Sequence, residues 1–228
     1  MRAFKLISVL AMALALGAIA AATASAANPP VFLPGAPKTT FINGSGKATL
    51  TTAAGLKIIC EKSKSTGELL GAGTEDSKEA LMIIDFEGCF AEPGGFPLNS
   101  AGDPAKTILV HVEAKSCTIS ESPLVGGILL KPLPLTIEVP TLKLTIKIEE
   151  GSDVIGRLLP ENVAALRFAL DLNAPAGVQE LKECKDKAGE TALKEGLKVK
   201  VDEGAVEAAS QEAKEGFIEF KVKQTWET

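Results

Sequence analysis

Strict alternation of apolar and polar residues is the feature that most constrains how this chain can fold. From Leu142 to Glu149 the sequence LKLTIKIE places an apolar residue at every second position and a polar or charged residue between them. A helix would scatter these charges around its circumference, whereas a strand places all of them on its solvent face. The segment is therefore predicted to be a half-buried strand.

A period of two recurs along most of the chain, with proline and glycine between the segments. It is found in Leu56–Cys60, Ala80–Phe86, Ile108–Val112, Leu135–Val139, Leu197–Val201 and Ile218–Val222. In Ala80–Phe86, this period places Leu81, Ile83 and Asp85 on one face and the other four residues on the opposite face. Pro132, Pro134 and Pro140 indicate strand ends or edge positions. The pattern predicts an all-β protein, a mainly antiparallel β-sandwich or barrel of roughly ten strands with at most one or two short helices.

Four segments are harder to assign. Asn162–Leu172 is compatible with a helix, but the alternation of its apolar residues favours a strand. Gly204–Glu215, rich in Ala and Glu, and part of Leu181–Glu195 are compatible with short helices. Asn28–Gly46 is rich in Pro, Gly and Thr and is expected to be an extended lead-in to the domain.

Residues 1–26 have the pattern of a secretory signal peptide. Arg2 and Lys5 precede an apolar run from Leu6 to Ala22, and Ala24–Ala26 supplies the small residues that signal peptidase requires. The run is short for a bilayer-spanning helix, which favours a cleaved signal peptide over the alternative, an uncleaved anchor. Cleavage after Ala26 would leave a single β-rich extracellular domain, residues 27–228, without a transmembrane segment.

The predicted product is secreted and either extracellular or associated with the cell surface. No cysteine follows the apolar run to accept a lipid, so any attachment to the surface would be non-covalent. The formal charge of the full chain is −5, and loss of Arg2 and Lys5 makes it −7. This balance argues against nucleic acid or an anionic membrane as a partner.

All four cysteines lie after the signal peptide, and an even number of cysteines in an exported protein predicts two disulfides. Cys60, Cys89, Cys117 and Cys184 are spaced too widely for a zinc knuckle. Three pairings are possible and the sequence alone does not choose among them. The pairing preferred here joins Cys60 with Cys89 and Cys117 with Cys184.

No catalytic, cofactor or metal residue is assigned from the sequence. His111 is the single histidine, and its alternation with Val110 and Val112 places it on the polar side of a strand, where an exposed histidine without a catalytic role is expected. The acidic turns Glu75–Glu79 and Glu149–Asp153 contain oxygens that could bind calcium, but neither has the spacing of a known calcium loop.

Carbohydrate binding is disfavoured because sugar sites usually use aromatic faces. The chain has no tyrosine and one tryptophan, Trp226, while Phe86, Phe168 and Phe220 occupy predicted core positions. The tripeptide Asn43–Ser45 matches an N-glycosylation sequon, which would matter only in a eukaryotic secretory pathway.

Several short motifs, taken in their order, carry a resemblance to a known group of proteins. They are Phe32–Gly35, Gly55–Cys60, Thr66–Glu68, Phe86–Cys89, Val154–Gly156 followed by Pro160 and Asn162, and Gly177–Glu180. The chain resembles a large paralogous group of uncharacterised exported proteins that some soil actinobacteria encode in many divergent copies. The resemblance implies an all-β exported protein and favours a strand at Asn162–Leu172. The chain departs from the group around Leu98 and Val139, where relatives often have cysteine.

The sequence therefore favours an exported, non-catalytic structural or interaction protein of the cell envelope or exterior, with an unknown partner there. The alternative is an extracellular module that binds a small molecule or a glycan, which would need a concave site with convergent polar groups. A hydrolase that uses dispersed Asp and Glu residues is the third hypothesis.

Overall fold

The computed structural model describes residues 31–33, 39–70, 79–185 and 196–227, so the predicted signal peptide lies outside the described residues. The described part is all-β, with 3₁₀ helices at Pro140–Leu142 and Pro175–Gly177. Its strands are β1 (Val31–Leu33), β2 (Thr39–Ser45), β3 (Ala48–Thr52), β4 (Lys57–Cys60), β5 (Lys62–Leu70), β6 (Glu79–Glu87), β7 (Phe90–Glu92), β8 (Phe96–Pro97), β9 (Asn99–Ser100), β10 (Thr107–Glu121), β11 (Leu124–Pro132), β12 (Leu135–Val139), β13 (Leu144–Ile148), β14 (Val154–Leu159), β15 (Ala164–Leu172), β16 (Leu197–Val201) and β17 (Val206–Glu227).

The central unit is a closed antiparallel β-barrel of eight strands. Its strands follow one another around the ring in the order β2, β5, β6, β10, β11, β14, β15 and β17, and β17 pairs with β2 to close it. Alternate residues of each strand face the interior, so the period-two pattern in the sequence becomes an inner apolar layer and an outer mixed layer. Of the two architectures that the sequence predicted, a sandwich and a barrel, the structure has the barrel.

A second, curved set of strands is joined to the barrel through β17. The first part of β17, Val206–Ala213, pairs with β16 on one side and with β3 on the other. From β3 the sheet continues through β4 and β7 to β8, and from β16 it continues through β13 and β12 to β9. One 22-residue strand thus belongs to both parts of the molecule.

The number of strands exceeds the roughly ten that the alternation predicts. Strands such as β7, β8 and β9 have only two or three residues, which is too short for an alternation to be visible in the sequence. The lead-in predicted for Asn28–Gly46 also contains a barrel strand, β2, because Phe41 and Asn43 face the interior of the barrel and are buried.

The main apolar core extends from the barrel into the second sheet. Phe220 belongs to this core, and its ring centroid lies 5.6 Å from that of Phe41 and 6.1 Å from that of Phe168. Trp226 is also buried, with 1% of its surface exposed. The continuity of this core means that the two parts of the molecule form one packed unit.

The two disulfides lie in different environments. Cys60 is bonded to Cys89 within the main core, where both residues are buried. Cys117 is bonded to Cys184 in a smaller apolar cluster with Leu129 and Ile155. This pairing is the one preferred from the sequence.

Asn162–Leu172 contains β15, as predicted, but two other segments differ from the expectation. Gly204–Glu215 is not a helix, because it begins the long strand β17, where pairing with β3 and β16 outweighs the helix propensity of Ala and Glu. Residues 181–185 are not helical either, and the remainder of Leu181–Glu195 lies outside the described residues. Leu142, predicted within a strand, lies instead in the 3₁₀ turn that follows the strand end at Val139.

Candidate functional site

His111 lies on the outer surface of the barrel, as its alternation predicts. It is an exposed residue of β10 and is paired in register with Ile83 of β6. Its carbonyl oxygen accepts a hydrogen bond from the backbone N–H of Leu133 at 2.8 Å. This bond places Leu133, the residue after β11, beside the histidine.

A shallow groove of about 800 Å³ crosses the barrel surface next to His111. Four aliphatic side chains give it an apolar surface: Ile42 of β2, Leu81 and Ile83 of β6, and Leu133. Between 42% and 50% of each of these side chains is exposed. We call this feature the outer-face groove.

The register of the strands explains how these residues come together. Residues directly opposite one another on neighbouring strands lie on the same face, about 5 Å apart. One row across the groove consists of Ile42, Thr66, Ile83 and His111, and the row beside it consists of Thr40, Glu68, Leu81 and Glu113. The groove is thus a product of four paired strands, β2, β5, β6 and β10.

Strand β6 contributes most to the groove because it is apolar on both faces. Ala80 and Met82 are buried in the core, while Leu81 and Ile83 point outward. Strands with one solvated face normally have polar residues on that face. The period of two in the sequence places Leu81 and Ile83 on one face of the strand, but the sequence analysis did not identify them as part of a site. The signal that could have indicated the site was that this face carries apolar residues where polar ones are expected.

The charged residues at the groove are mainly acidic. Glu68 and Glu113 lie on either side of Leu81 in its row, and Glu219 and Lys221 of β17 line the far end. The guanidinium of Arg167 lies 3.7 Å from Glu219. The part of the groove formed by β5, β6 and β10 therefore combines apolar side chains with two carboxylates.

A cluster of ion pairs lies further along the outer face of β5 and β6. Lys62 is 2.9 Å from the Glu87 carboxylate, and Lys64 is paired with Glu87 and with Asp85. The hydrogen bond from Lys64, with a second from Lys62, lowers the pKa of Glu87. The same carboxylate raises the pKa of Lys64. The polar cluster separates the groove from the end of the hairpin at Glu87.

A second concavity lies where the end of β3, the start of β17 and residues 177–182 meet. Its volume is about 580 Å³, and its lining includes Thr52, Gln179 and Ser210. All three side chains are at least nine-tenths buried. We call this feature the polar cleft. The sequence does not predict this cleft, because its residues come from three segments that are distant in the chain.

The acidic turn at Glu149–Asp153 is held by internal hydrogen bonds. The Ser152 hydroxyl donates to the Glu149 carbonyl at 2.7 Å and accepts from the Lys198 N–H at 3.0 Å. Burial raises the pKa of Asp153, an effect that Lys131 and Lys198 oppose. In the described part of the chain, no group of three or more His, Cys, Asp or Glu residues is placed to hold a metal ion. Residues 75–78 of the other acidic turn lie outside that part.

The sequon asparagine faces the interior of the barrel. Asn43 is 5% exposed, its amide donates to the Met82 sulfur at 3.1 Å, and its carbonyl oxygen accepts from the Ser65 hydroxyl. This side chain is inaccessible to a glycosyltransferase in the folded protein. Phe168 and Phe220 are buried as predicted, and Phe86 is partly buried against the same core.

No protein-family model, curated protein or solved structure matches this sequence. The likeness to exported actinobacterial proteins therefore stays a prediction. Among the described residues, no helix is long and apolar enough to cross a membrane.

Proposed function

We propose that the protein is an exported, non-catalytic interaction protein of the cell envelope or exterior, and that its outer-face groove binds a partner polypeptide. The observation that supports this function is the presence of four half-exposed aliphatic side chains in one groove. Single exposed apolar residues are common on protein surfaces, but apolar groups gathered in one place and bordered by polar ones are typical of binding sites.

The partner's chemistry follows from the groove. Its apolar side chains would bury Leu81 and Ile83, and its basic side chains would lie near Glu68 and Glu113. The acidic balance of the whole chain also favours encounter with a basic partner. We therefore propose a segment in which apolar and basic residues are interspersed.

Such a partner would bind through side chains and not by adding a strand. Strands β5 and β6 each pair with a neighbour on both sides of the closed barrel, so their backbone groups are already used in the sheet. Strand addition requires an open edge. Affinity would therefore depend on the groove side chains, so single substitutions of these residues can test the site.

Binding can be tested with a synthetic peptide of alternating leucine and lysine, capped at both ends, and a control in which glutamate replaces lysine. We expect saturable binding of the basic peptide and at least about tenfold weaker binding to Leu81→Ser, which removes one buried apolar contact. Leu166→Ser is the matched control, because Leu166 of β15 is 45% exposed and does not line the groove.

The proposal fails if the basic peptide does not bind, if the acidic peptide binds equally well, or if Leu81→Ser and Leu166→Ser behave alike. Circular dichroism of both variants would establish that each retains the β-sheet spectrum of the parent. Equal spectra with unequal binding would support the groove.

Export is tested separately, with the full chain expressed in a bacterium that has a general secretory pathway. The disulfides are consistent with an extracellular protein. We expect the exported form to begin at Ala27 by intact mass, and Leu14→Arg, which interrupts the apolar run, to keep the chain inside the cell. Efficient export of that variant would contradict the signal-peptide interpretation.

A further inference from the structure

A cavity of about 100 Å³ lies inside the barrel, next to the strands that continue into the second sheet. Most of its lining consists of inward-facing apolar side chains, which include Met82, Val110, Leu130, Val154 and Leu170. The interior of an eight-stranded barrel is either filled by side chains or holds one small ligand. Because protein cores rarely contain voids larger than a water molecule, this space is a candidate ligand site. We call it the barrel cavity.

Small residues on β17 leave this space open. Ala213 and Gly216 line the cavity and are paired in register with Leu172 and Leu170 of β15, respectively. A Cβ on Gly216 would lie 2.4 Å from the Leu170 backbone oxygen, so a larger residue does not fit there. The barrel cavity therefore lies beside a stretch of β17 that has little side-chain volume to fill it.

The inward-facing residues of three neighbouring strands become more exposed in one direction. On β2, Asn43 is buried and Ser45 is half-buried, and on β6, Met82 is buried and Phe86 is half-buried. Ser63 of β5 is in register with both Ser45 and Phe86, and it is half-buried as well. The cavity therefore opens towards Ser45, Ser63 and Phe86, and a ligand would enter at that end.

A pair of serine hydroxyls lines the cavity at this end. Ser45 Oγ and Ser63 Oγ are 2.8 Å apart, and the Ser45 hydroxyl donates to the Gly46 carbonyl oxygen at 3.1 Å. Since a hydroxyl has one hydrogen, Ser63 is the donor within the pair. In the described part of the chain, Ser63 Oγ accepts no hydrogen bond, so it can accept one from a ligand.

Charge and volume limit the kind of ligand. No charged side chain is present in the described lining of the cavity, and an ion without a partner would lose its hydration there at high cost. An apolar cavity of about 150 Å³ is large enough for benzene, so about 100 Å³ corresponds to roughly four or five non-hydrogen atoms. A short hydrocarbon chain with one uncharged donor group satisfies both conditions.

We propose that the barrel cavity binds a small uncharged alcohol, with its hydrocarbon chain against Met82, Val110 and Leu170 and its hydroxyl donating to Ser63 Oγ. The alcohol would bind inside the barrel, whereas the outer-face groove lies on the barrel surface, so this activity is separate from the proposed partner binding. Neither Ser63 nor Ala213 lines the groove, and substitutions at these positions should leave peptide binding unchanged.

The experiment is an NMR titration of the oxidised protein with n-butanol, at concentrations that leave its circular dichroism spectrum unchanged. The comparison compound is n-butylammonium, which has the same number of non-hydrogen atoms but carries a charge. We expect saturable shifts of the Val110 and Leu170 methyl signals with n-butanol only.

Three variants identify the site. Ser63→Ala should weaken n-butanol binding about threefold or more, because it removes the hydrogen-bond acceptor. Ala213→Leu should abolish binding, because the longer side chain occupies the cavity. Ala208→Leu, the same substitution at an exposed position of β17 that does not line the cavity, should leave binding unchanged.

Thermal unfolding of the free protein gives an independent measurement. Because Ala213→Leu fills an existing space with apolar groups, it should unfold at the same temperature as the parent or a higher one. A clearly lower unfolding temperature, or failure to fold, would show that the space is absent and would overturn the proposal. Absence of saturable shifts with n-butanol, equal shifts with n-butylammonium, or unchanged affinity of Ser63→Ala would overturn the proposed ligand class.

Discussion

At the scale of single residues, close packing determines which amino acid a position can hold where the alternation pattern does not. Gly67 of β5 faces the barrel interior opposite Phe41 of β2, and a Cβ on Gly67 would overlap the phenyl ring. The glycine is required by the position of the ring and not by backbone conformation. The sequence places Gly67 in a short motif, but only the structure assigns it a physical role.

Gly67→Ala is therefore expected to destabilise the protein by about 1–3 kcal/mol, because the Phe41 ring must shift within a packed core. Urea unfolding monitored by circular dichroism measures this change. Gly46→Ala is the control: its Cβ would meet nothing closer than 3.4 Å, so a change within about 0.5 kcal/mol is expected. Equal effects of the two substitutions would refute the proposed overlap.

The ion-pair cluster gives a prediction about pH. The pKa of Glu87 is lower in the folded protein than its ordinary value of 4.5. As the pH falls, Glu87 is therefore protonated at a higher pH in the unfolded state than in the folded state. The stabilisation from Glu87 is complete above pH 4.5 and disappears as the pH falls through the lowered pKa. Glu87→Gln should thus lower the unfolding temperature at neutral pH.

The difference between the parent and Glu87→Gln should shrink in acid, as measured by thermal unfolding across a pH series. The Lys62 and Lys64 side chains are 65% and 70% exposed, so added salt should reduce the difference as well. A difference that persists unchanged in strong acid would show that the effect of Glu87→Gln is not electrostatic.

At the scale of elements, the long strand β17 has the largest structural consequence. Its first part pairs with β3 and β16, and its later part pairs with β2 and β15. The Ala-rich composition of Gly204–Glu215 favoured a helix, but Val206–Ala213 is paired on both sides and Ala209 is buried in the main core. Pairing on both sides therefore overrides local propensity.

The disulfides should differ in what they hold together. Cys117–Cys184 closes a loop with a sequence separation of 67 residues, and Cys60–Cys89 closes one of 29. On the chain-entropy model, replacing either pair by serine costs roughly 3–4 kcal/mol, with the larger loss for the longer loop. Urea unfolding of the two double variants measures these losses.

Hydrogen exchange would distinguish the local effects of the two disulfides. Loss of Cys117–Cys184 should increase exchange in residues 173–185, because this bond joins that segment to β10. Loss of Cys60–Cys89 should increase exchange mainly in β4 and β7, which are paired. Identical exchange patterns in the two variants would contradict this division.

At the scale of the whole molecule, the barrel and the second sheet share a strand and a core. Residues of both parts belong to one continuous apolar cluster, from Phe168 in the barrel to Val199 in the second sheet. Neither part can expose its share of this core without disturbing the other. The outer-face groove lies on the barrel, whereas the polar cleft lies at the end of β3, next to the second sheet.

We therefore expect thermal unfolding of the mature, oxidised protein to be a single cooperative transition. In differential scanning calorimetry, the calorimetric and van't Hoff enthalpies should agree, because the shared core couples the two parts. Two resolved transitions, or a van't Hoff enthalpy well below the calorimetric one, would show that the parts unfold independently.

The sequence by itself determined the all-β class, the position of most longer strands and the exposure of His111, because alternation along a strand is a local property that survives in any strand pairing. It also limited the cysteines to three pairings. Only the tertiary structure decided that eight strands close into a barrel, that Gly204–Glu215 leads into a strand from Val206 onward, and that Asn43 points inward. The groove and the cleft belong to the same group, because each joins residues distant in the sequence, and strand register alone decides which of them become neighbours.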